Sequence, residues 1–147
     1  MRVSAKGEYA IRAMLDLALH EGKGLEPIQD IAGRQGIPQR YLEQVLLQLK
    51  RAGLLYSRRG SAGGYRLGRP AGQVTVGAVL RAVEGPPGAE PSRRSARASA
   101  TDPAGDLTEL WREIDEAVAG VIDRITLEDL KRRAEERRSG AQPMYHI

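Results

Sequence analysis

The chain contains no cysteine. Disulfides, thiolate catalysis, zinc knuckles and cysteine-ligated iron–sulfur clusters are therefore excluded for the sequence as it stands. Phenylalanine is also absent, with one Trp and five Tyr as the aromatics, so the core must be aliphatic. No apolar run approaches the roughly 20 residues that cross a bilayer. The opening MRVSAKGEYA lacks the apolar stretch of a secretion signal. A cytoplasmic protein with no membrane partner is expected. The two histidines, His20 and His146, stand at opposite ends of the chain. No metal-ligand spacing or nucleophile elbow appears. Glu109, Glu113, Asp115 and Glu116 fit the solvated face of a helix better than a catalytic pair. These absences argue against an enzyme, and no cofactor or metal is expected.

What is present is asymmetric positive charge. The net +4 over 147 residues divides into +6 for residues 1–84 (13 Lys/Arg against 7 Asp/Glu) and −2 for residues 85–147 (10 against 12). Between residues 34 and 69, eight Lys/Arg face a single acid, Glu43. Two halves of opposite charge suggest two roles.

Periodicity and punctuation set out the elements. Ser4 caps a first helix with Ala10, Ile11, Met14, Leu15, Ala18 and Leu19 as its apolar positions, ending near His20. Pro27 opens a short second helix carrying Ile28, Ile31 and Ala32, and Gly36 permits a sharp turn. Pro38 opens a third helix in which Leu42, Val45, Leu46 and Leu49 form one buried stripe. Gly53 ends it. A strand starts at Leu54, residues 59–63 loop, and residues 64–67 return as a second strand. A fourth helix over 76–83 turns Val76, Val79, Leu80 and Val83 inward.

Residues 85–105, GPPGAEPSRRSARASATDPAG, have no bulky apolar residue and read as a flexible linker. A long helix over 106–125 follows, with Leu107, Trp111, Ile114, Val118, Val121 and Ile125 spaced as a heptad seam. Thr126 caps a last helix running to about residue 138, before a tail over 139–147. The expected fold is mainly α with a small β-hairpin. It comprises a winged helix-turn-helix domain over 1–84, the linker over 85–105, and a dimerisation helix with a C-terminal helix over 106–138.

A helix-turn-helix lays its second helix in the major groove, with residues near that helix's N-terminus on the base edges. Here those are Gln39, Arg40, Tyr41, Glu43 and Gln44. Arg pairs with guanine, Gln with adenine, and Glu accepts from cytosine N4. Tyr41 is suited to stacking on sugar or donating to phosphate. Alone, these side chains also fit a merely solvated helix face. The hairpin favours DNA, because Arg58, Arg59, Gly60 and Ser61 form a thin basic tip of the kind that enters a narrow minor groove. Ser4, Lys6 and Tyr9 open the first helix and are phosphate-contact candidates, although capping and packing explain Ser4 and Tyr9 equally well. The heptad seam suits a twofold dimer on two half-sites. The same stripe could instead pack on its own domain.

These pieces occur in a specific order: KGEYAIRAMLDLA, IAGRQGIPQRYLEQVLLQL, AGLLYSRRGSAGGYRL, VGAVLRAVEG, the Leu110–Trp111 pair and ITLEDL. Together they resemble the IscR/CymR-type winged-helix transcription regulators, a family containing an iron–sulfur cluster regulator and a cysteine-metabolism repressor. The resemblance runs from residue 1 to about residue 130. It implies a homodimer with crossed long helices, each contributing to the partner's unit. It also implies the helix from Pro38 in the major groove and the wing over 58–64 in the minor groove. By position Arg40, Tyr41, Glu43, Gln44 and Arg59 fall in the family's DNA-contacting region. The sequence departs from its sensing relatives where they carry three cysteine ligands. Ser92, Ala98 and Ala104 align there, and none supplies a thiolate. A natural cluster-free branch and a mutated ligand set both account for this. Drift across the whole linker favours the first.

The expectation is a homodimeric, sequence-specific, DNA-binding transcriptional regulator on a palindromic operator, a repressor by analogy. Its signal would come from a small-molecule effector or a metabolic-enzyme partner. The alternative is a winged helix used for protein–protein contact without sequence-specific DNA binding.

Overall fold

A computed structural model describes residues 3–85 and 107–141. The expected linker, apart from Gly85, the aligned positions Ser92, Ala98 and Ala104, and His146 lie outside the described residues. Among the described residues the order is α1 (Ala5–Leu19), α2 (Ile28–Gln35), α3 (Gln39–Arg51), β1 (Leu55–Arg58), β2 (Gly64–Leu67), a single 3₁₀ turn (Ala71–Gln73), α4 (Val76–Glu84), α5 (Thr108–Ile122) and α6 (Leu127–Ala141). No described helix is long and apolar enough to cross a membrane.

Helix α1 is the centre of the packing, in contact with α2, α3, α4, α6 and β2. Its inward positions are Gly7, Ala10, Ala13, Met14, Asp16, Leu17 and Ala18. Of the apolar positions expected from the sequence, Ala10, Met14 and Ala18 are buried, while Ile11, Leu15 and Leu19 are only half-buried. A helix surrounded on several sides has no single apolar face, and small residues let its neighbours approach. A Cβ at Gly7 would lie 2.9 Å from the Leu80 side chain.

The α2–turn–α3 unit follows the sequence closely. Gly36 adopts the left-handed conformation (φ 64°) at the end of α2, which glycine enters without a Cβ penalty. Pro38 is the N-cap of α3, and Leu42, Val45, Leu46 and Leu49 are all fully buried. In α4, Val76, Val79, Leu80 and Val83 are likewise buried, with Thr75 Oγ1 accepting from Ala78 N at 3.0 Å.

The hairpin pairs antiparallel, with Leu55 opposite Leu67, Tyr56 opposite Arg66, Ser57 opposite Tyr65 and Arg58 opposite Gly64. Arg58 therefore ends a strand, and the tip proper begins at Arg59. A third segment joins the hairpin: Glu26 and Tyr65 exchange backbone hydrogen bonds of 2.8 and 2.9 Å. A Cβ at Gly64 would sit 2.5 Å from the Glu26 carbonyl oxygen, so that pairing requires glycine.

Helix α5 ends at Ile122, three residues short of the expected end, and Leu107 is its N-cap rather than a helical position. The chain then turns extended. Val76 N donates to Ile125 O at 2.8 Å and Leu127 N to Val74 O at 2.9 Å. Ile125 therefore belongs to a bridge that stitches the start of α6 to the start of α4, which removes it from the helical seam. Thr126 and Asp129 cap α6 reciprocally, Thr126 N to Asp129 Oδ2 at 3.0 Å and Asp129 N to Thr126 Oγ1 at 3.1 Å. Leu127 is fully buried in the core of the α1–α4 unit.

Candidate nucleic-acid interface

The buried stripe of α3 leaves its other face to solvent: Gln39, Arg40, Glu43 and Gln44 are all exposed. The hairpin stands beside that face. Between them lies a groove of about 540 Å³ whose walls include Glu43, Lys50, Arg58, Arg59 and Ser61. Arg58, Arg59, Gly60 and Ser61 are exposed. Of the reading-helix candidates, Glu43 borders this groove with the hairpin candidates, while Gln39, Arg40 and Gln44 are exposed elsewhere on the same helix.

Tyr41 is half-buried. Its ring meets Tyr9 of α1 edge-on, with centroids 5.3 Å apart and planes at 76°, a favoured aromatic geometry. Arg12 lies 5.8 Å from the Tyr9 ring centre and pairs with Glu8 at 2.7 Å. Tyr9 and Tyr41 therefore lock α3 onto α1. Ser4 is the N-cap of α1: its Oγ accepts from Gly7 N at 3.1 Å and donates to Glu84 Oε1. That hydroxyl is occupied within the fold. Lys6 is half-buried on the first turn.

Two side chains change role relative to the charge count. Arg34 is engaged by neighbouring carboxylates, its side chain 34 % accessible. Its guanidinium donates to Asp16 through Nε (2.9 Å) and Nη2 (2.7 Å), and Nη2 also reaches Glu26 Oε1 at 2.7 Å. These bonds, to Asp16 first, hold the Arg34 pKa above its ordinary value. Asp16 is only 2 % accessible and also accepts from Gln35 Nε2 at 3.1 Å. Since Glu26 pairs with Tyr65, this cluster links α1, α2 and the hairpin. The sequence reading missed it. An aspartate on the buried side of an apolar helix was the available signal. Arg66, opposite Tyr56, stacks 4.4 Å from that ring's centre, which braces the outer hairpin face.

The seam residues of α5 are separate from this surface. No residue of α5 is buried. Trp111, Ile114 and Val118 are half-buried, and Leu107, Leu110 and Val121 are 45, 44 and 46 % accessible. Leu110 was not among the expected seam positions. The stripe is not absorbed into the chain's own core.

The chain matches the family model Rrf2, described as an iron-dependent transcriptional regulator, over residues 3–133. The donor set here does not suit a cysteine-ligated cluster, because there is no thiolate in the chain. Among the described residues no three His, Asp or Glu gather to hold a metal ion. The HTH-type transcriptional regulator IscR of Serratia proteamaculans is 42 % identical over 131 residues, 88 % of this chain and 79 % of that protein. Its counterpart in Photobacterium profundum is 41 % identical over 133 residues, 90 % of this chain and 76 % of that protein. Among solved structures, T. potens IscR superposes with a TM-score of 0.77 at 36 % identity, covering 93 % of this chain and 90 % of that one. CymR (YrzC), the global cysteine regulator of B. subtilis, does so with a TM-score of 0.74 at 34 % identity, covering 90 and 98 %. On the strength of a match spanning nearly all of its length, the chain belongs to the Rrf2 family of transcriptional regulators.

Proposed function

We propose that this regulator acts as a homodimer on a palindromic operator, with α3 of each subunit in a major groove and each hairpin tip in the adjacent minor groove. The observation that carries the reading is the groove between α3 and the hairpin, which Lys50, Arg58 and Arg59 line together with Glu43, while Arg40 and Gln44 are exposed on the same helix. Gln39, Arg40, Glu43 and Gln44 are the base-edge candidates. Arg59 is the minor-groove candidate, with Arg58, Gly60 and Ser61 supporting the tip. Lys6 serves phosphate, while Ser4 and Tyr9 position α1 and α3.

The dimer reading rests on the heptad spacing of α5 together with its exposed apolar side chains Leu107 and Val121, beside the half-buried Ile114 and Val118. Bound across a promoter in the cytoplasm, such a dimer blocks transcription. With no thiolate available, its input is a small-molecule effector or a partner protein rather than a cysteine-ligated cluster.

A salt titration of operator binding tests the electrostatic core of this reading. If each subunit neutralises about four phosphates, log affinity falls against log salt with a slope of about −7 for the dimer. A flat response contradicts the groove assignment and returns the surface to protein contact.

A further inference from the structure

Helix α3 exposes one large apolar side chain. Leu47 is 47 % accessible, while Leu42, Val45, Leu46 and Leu49 on the opposite side are fully buried. At about 100° per residue, Leu47 points nearly straight away from that stripe, in line with Arg40 and Gln44 before it and Arg51 after it. It also lines the groove shared with the hairpin, between Glu43 and Lys50. Single exposed leucines are common on protein surfaces. This one is surrounded on its own helix by Arg40, Glu43, Gln44, Lys50 and Arg51, all of them exposed and polar. An apolar group at the centre of such a face calls for an apolar partner within a polar groove.

The base edges of a major groove offer one such partner, the C5-methyl of thymine. Leu47 lies about 4.5 Å beyond Gln44 along the helix axis at about 1.5 Å per residue. That is close to one base step of about 3.4 Å. We infer that Leu47 is a specificity-determining residue that packs against a thymine methyl one base step from the position read by Glu43 and Gln44. The inference rests on the proposed docking of α3 in the major groove. It makes that surface selective for a T·A pair that no hydrogen-bonding side chain on the helix needs to read.

Thymine-to-uracil replacement tests it, because uracil keeps the pairing hydrogen bonds and lacks only the methyl. An operator obtained by selection from genomic fragments is synthesised with each thymine replaced in turn, symmetrically in both half-sites. Affinities are measured for the intact protein and for Leu47→Ala, whose exposed site leaves the fold unchanged by circular dichroism and thermal unfolding. One symmetric position is expected to weaken wild-type binding about tenfold, from about three- to fourfold per methyl. The same replacement is expected to change Leu47→Ala binding less than twofold. The inference is overturned if no uracil weakens wild-type binding, or if the sensitive position stays equally sensitive in Leu47→Ala. A protein that retains no fragment at low salt overturns the docking reading and this inference with it. One that binds an operator yet ignores every methyl overturns the inference alone.

Discussion

Asp16 and Arg34 show how far a charged side chain's role depends on its neighbours. Asp16 is the charged residue buried in the core among the described residues, and it survives there because Arg34 and Gln35 satisfy its oxygens. Removing Arg34 strands a buried carboxylate. Arg34→Ala is expected to lower the unfolding free energy by about 1–2 kcal/mol, the scale of leaving a buried acceptor short of donors, because the guanidinium is itself 34 % accessible and Gln35 remains. Urea unfolding measures it, and a change within 0.5 kcal/mol, roughly the scale of an ordinary surface substitution, contradicts the assigned role. Arg59→Ala is the opposite case. Its side chain is exposed at the hairpin tip, so stability should hold while operator affinity falls by about 1–3 kcal/mol. Unchanged affinity removes it from the interface. From sequence, both arginines counted equally as positive charge. The partner that distinguishes them lies 18 residues away in α1, and no local pattern reveals a pairing set by tertiary packing. Ser4 was ambiguous for the same reason, since the acceptor of its hydroxyl proton, Glu84, is 80 residues distant.

Among the elements, α2, α3, the hairpin and α4 were legible because each has one buried face and clear punctuation by Pro or Gly. Helix α1 was legible as a helix but not in its buried set, because it is packed from several directions. The end of α5 was misplaced because Ile125 continues the heptad spacing, while its carbonyl is used by Val76. The α4–α5–α6 junction is also where acid should act. Arg81 holds Asp123 through two bonds of 2.7 Å, which lowers the Asp123 pKa from its ordinary 3.8. The Thr126 amide, then its hydroxyl, lowers that of Asp129. A depressed carboxylate stabilises the fold fully above its ordinary value, and the contribution is lost as pH falls through the lowered one. Asp123→Asn and Asp129→Asn should therefore be less stable than wild type at neutral pH. The gap should close on acidification below about pH 4. A gap that stays constant with pH contradicts the pairing.

At the scale of the whole molecule, the resemblance carried by motif order predicted the family, and the match over residues 3–133 establishes it. The signal was not legible: the chain has no cysteine, and no cluster of His, Asp and Glu suited to a metal ion forms among the described residues. In the proposed dimer, assembly depends on α5. Val121 is 46 % accessible in the single chain, so Val121→Asp should leave thermal unfolding of the α1–α4 unit intact. Sedimentation should shift from dimer to monomer. A variant that stays dimeric places the interface elsewhere.

Footprinting of a genomic fragment selected by the purified protein tests the central claim most directly. Two protected half-sites related by a twofold axis, centred about one helical turn apart and occupied by two chains, are predicted. Protection of a single half-site by one chain, or failure to retain any fragment at low salt, would contradict it.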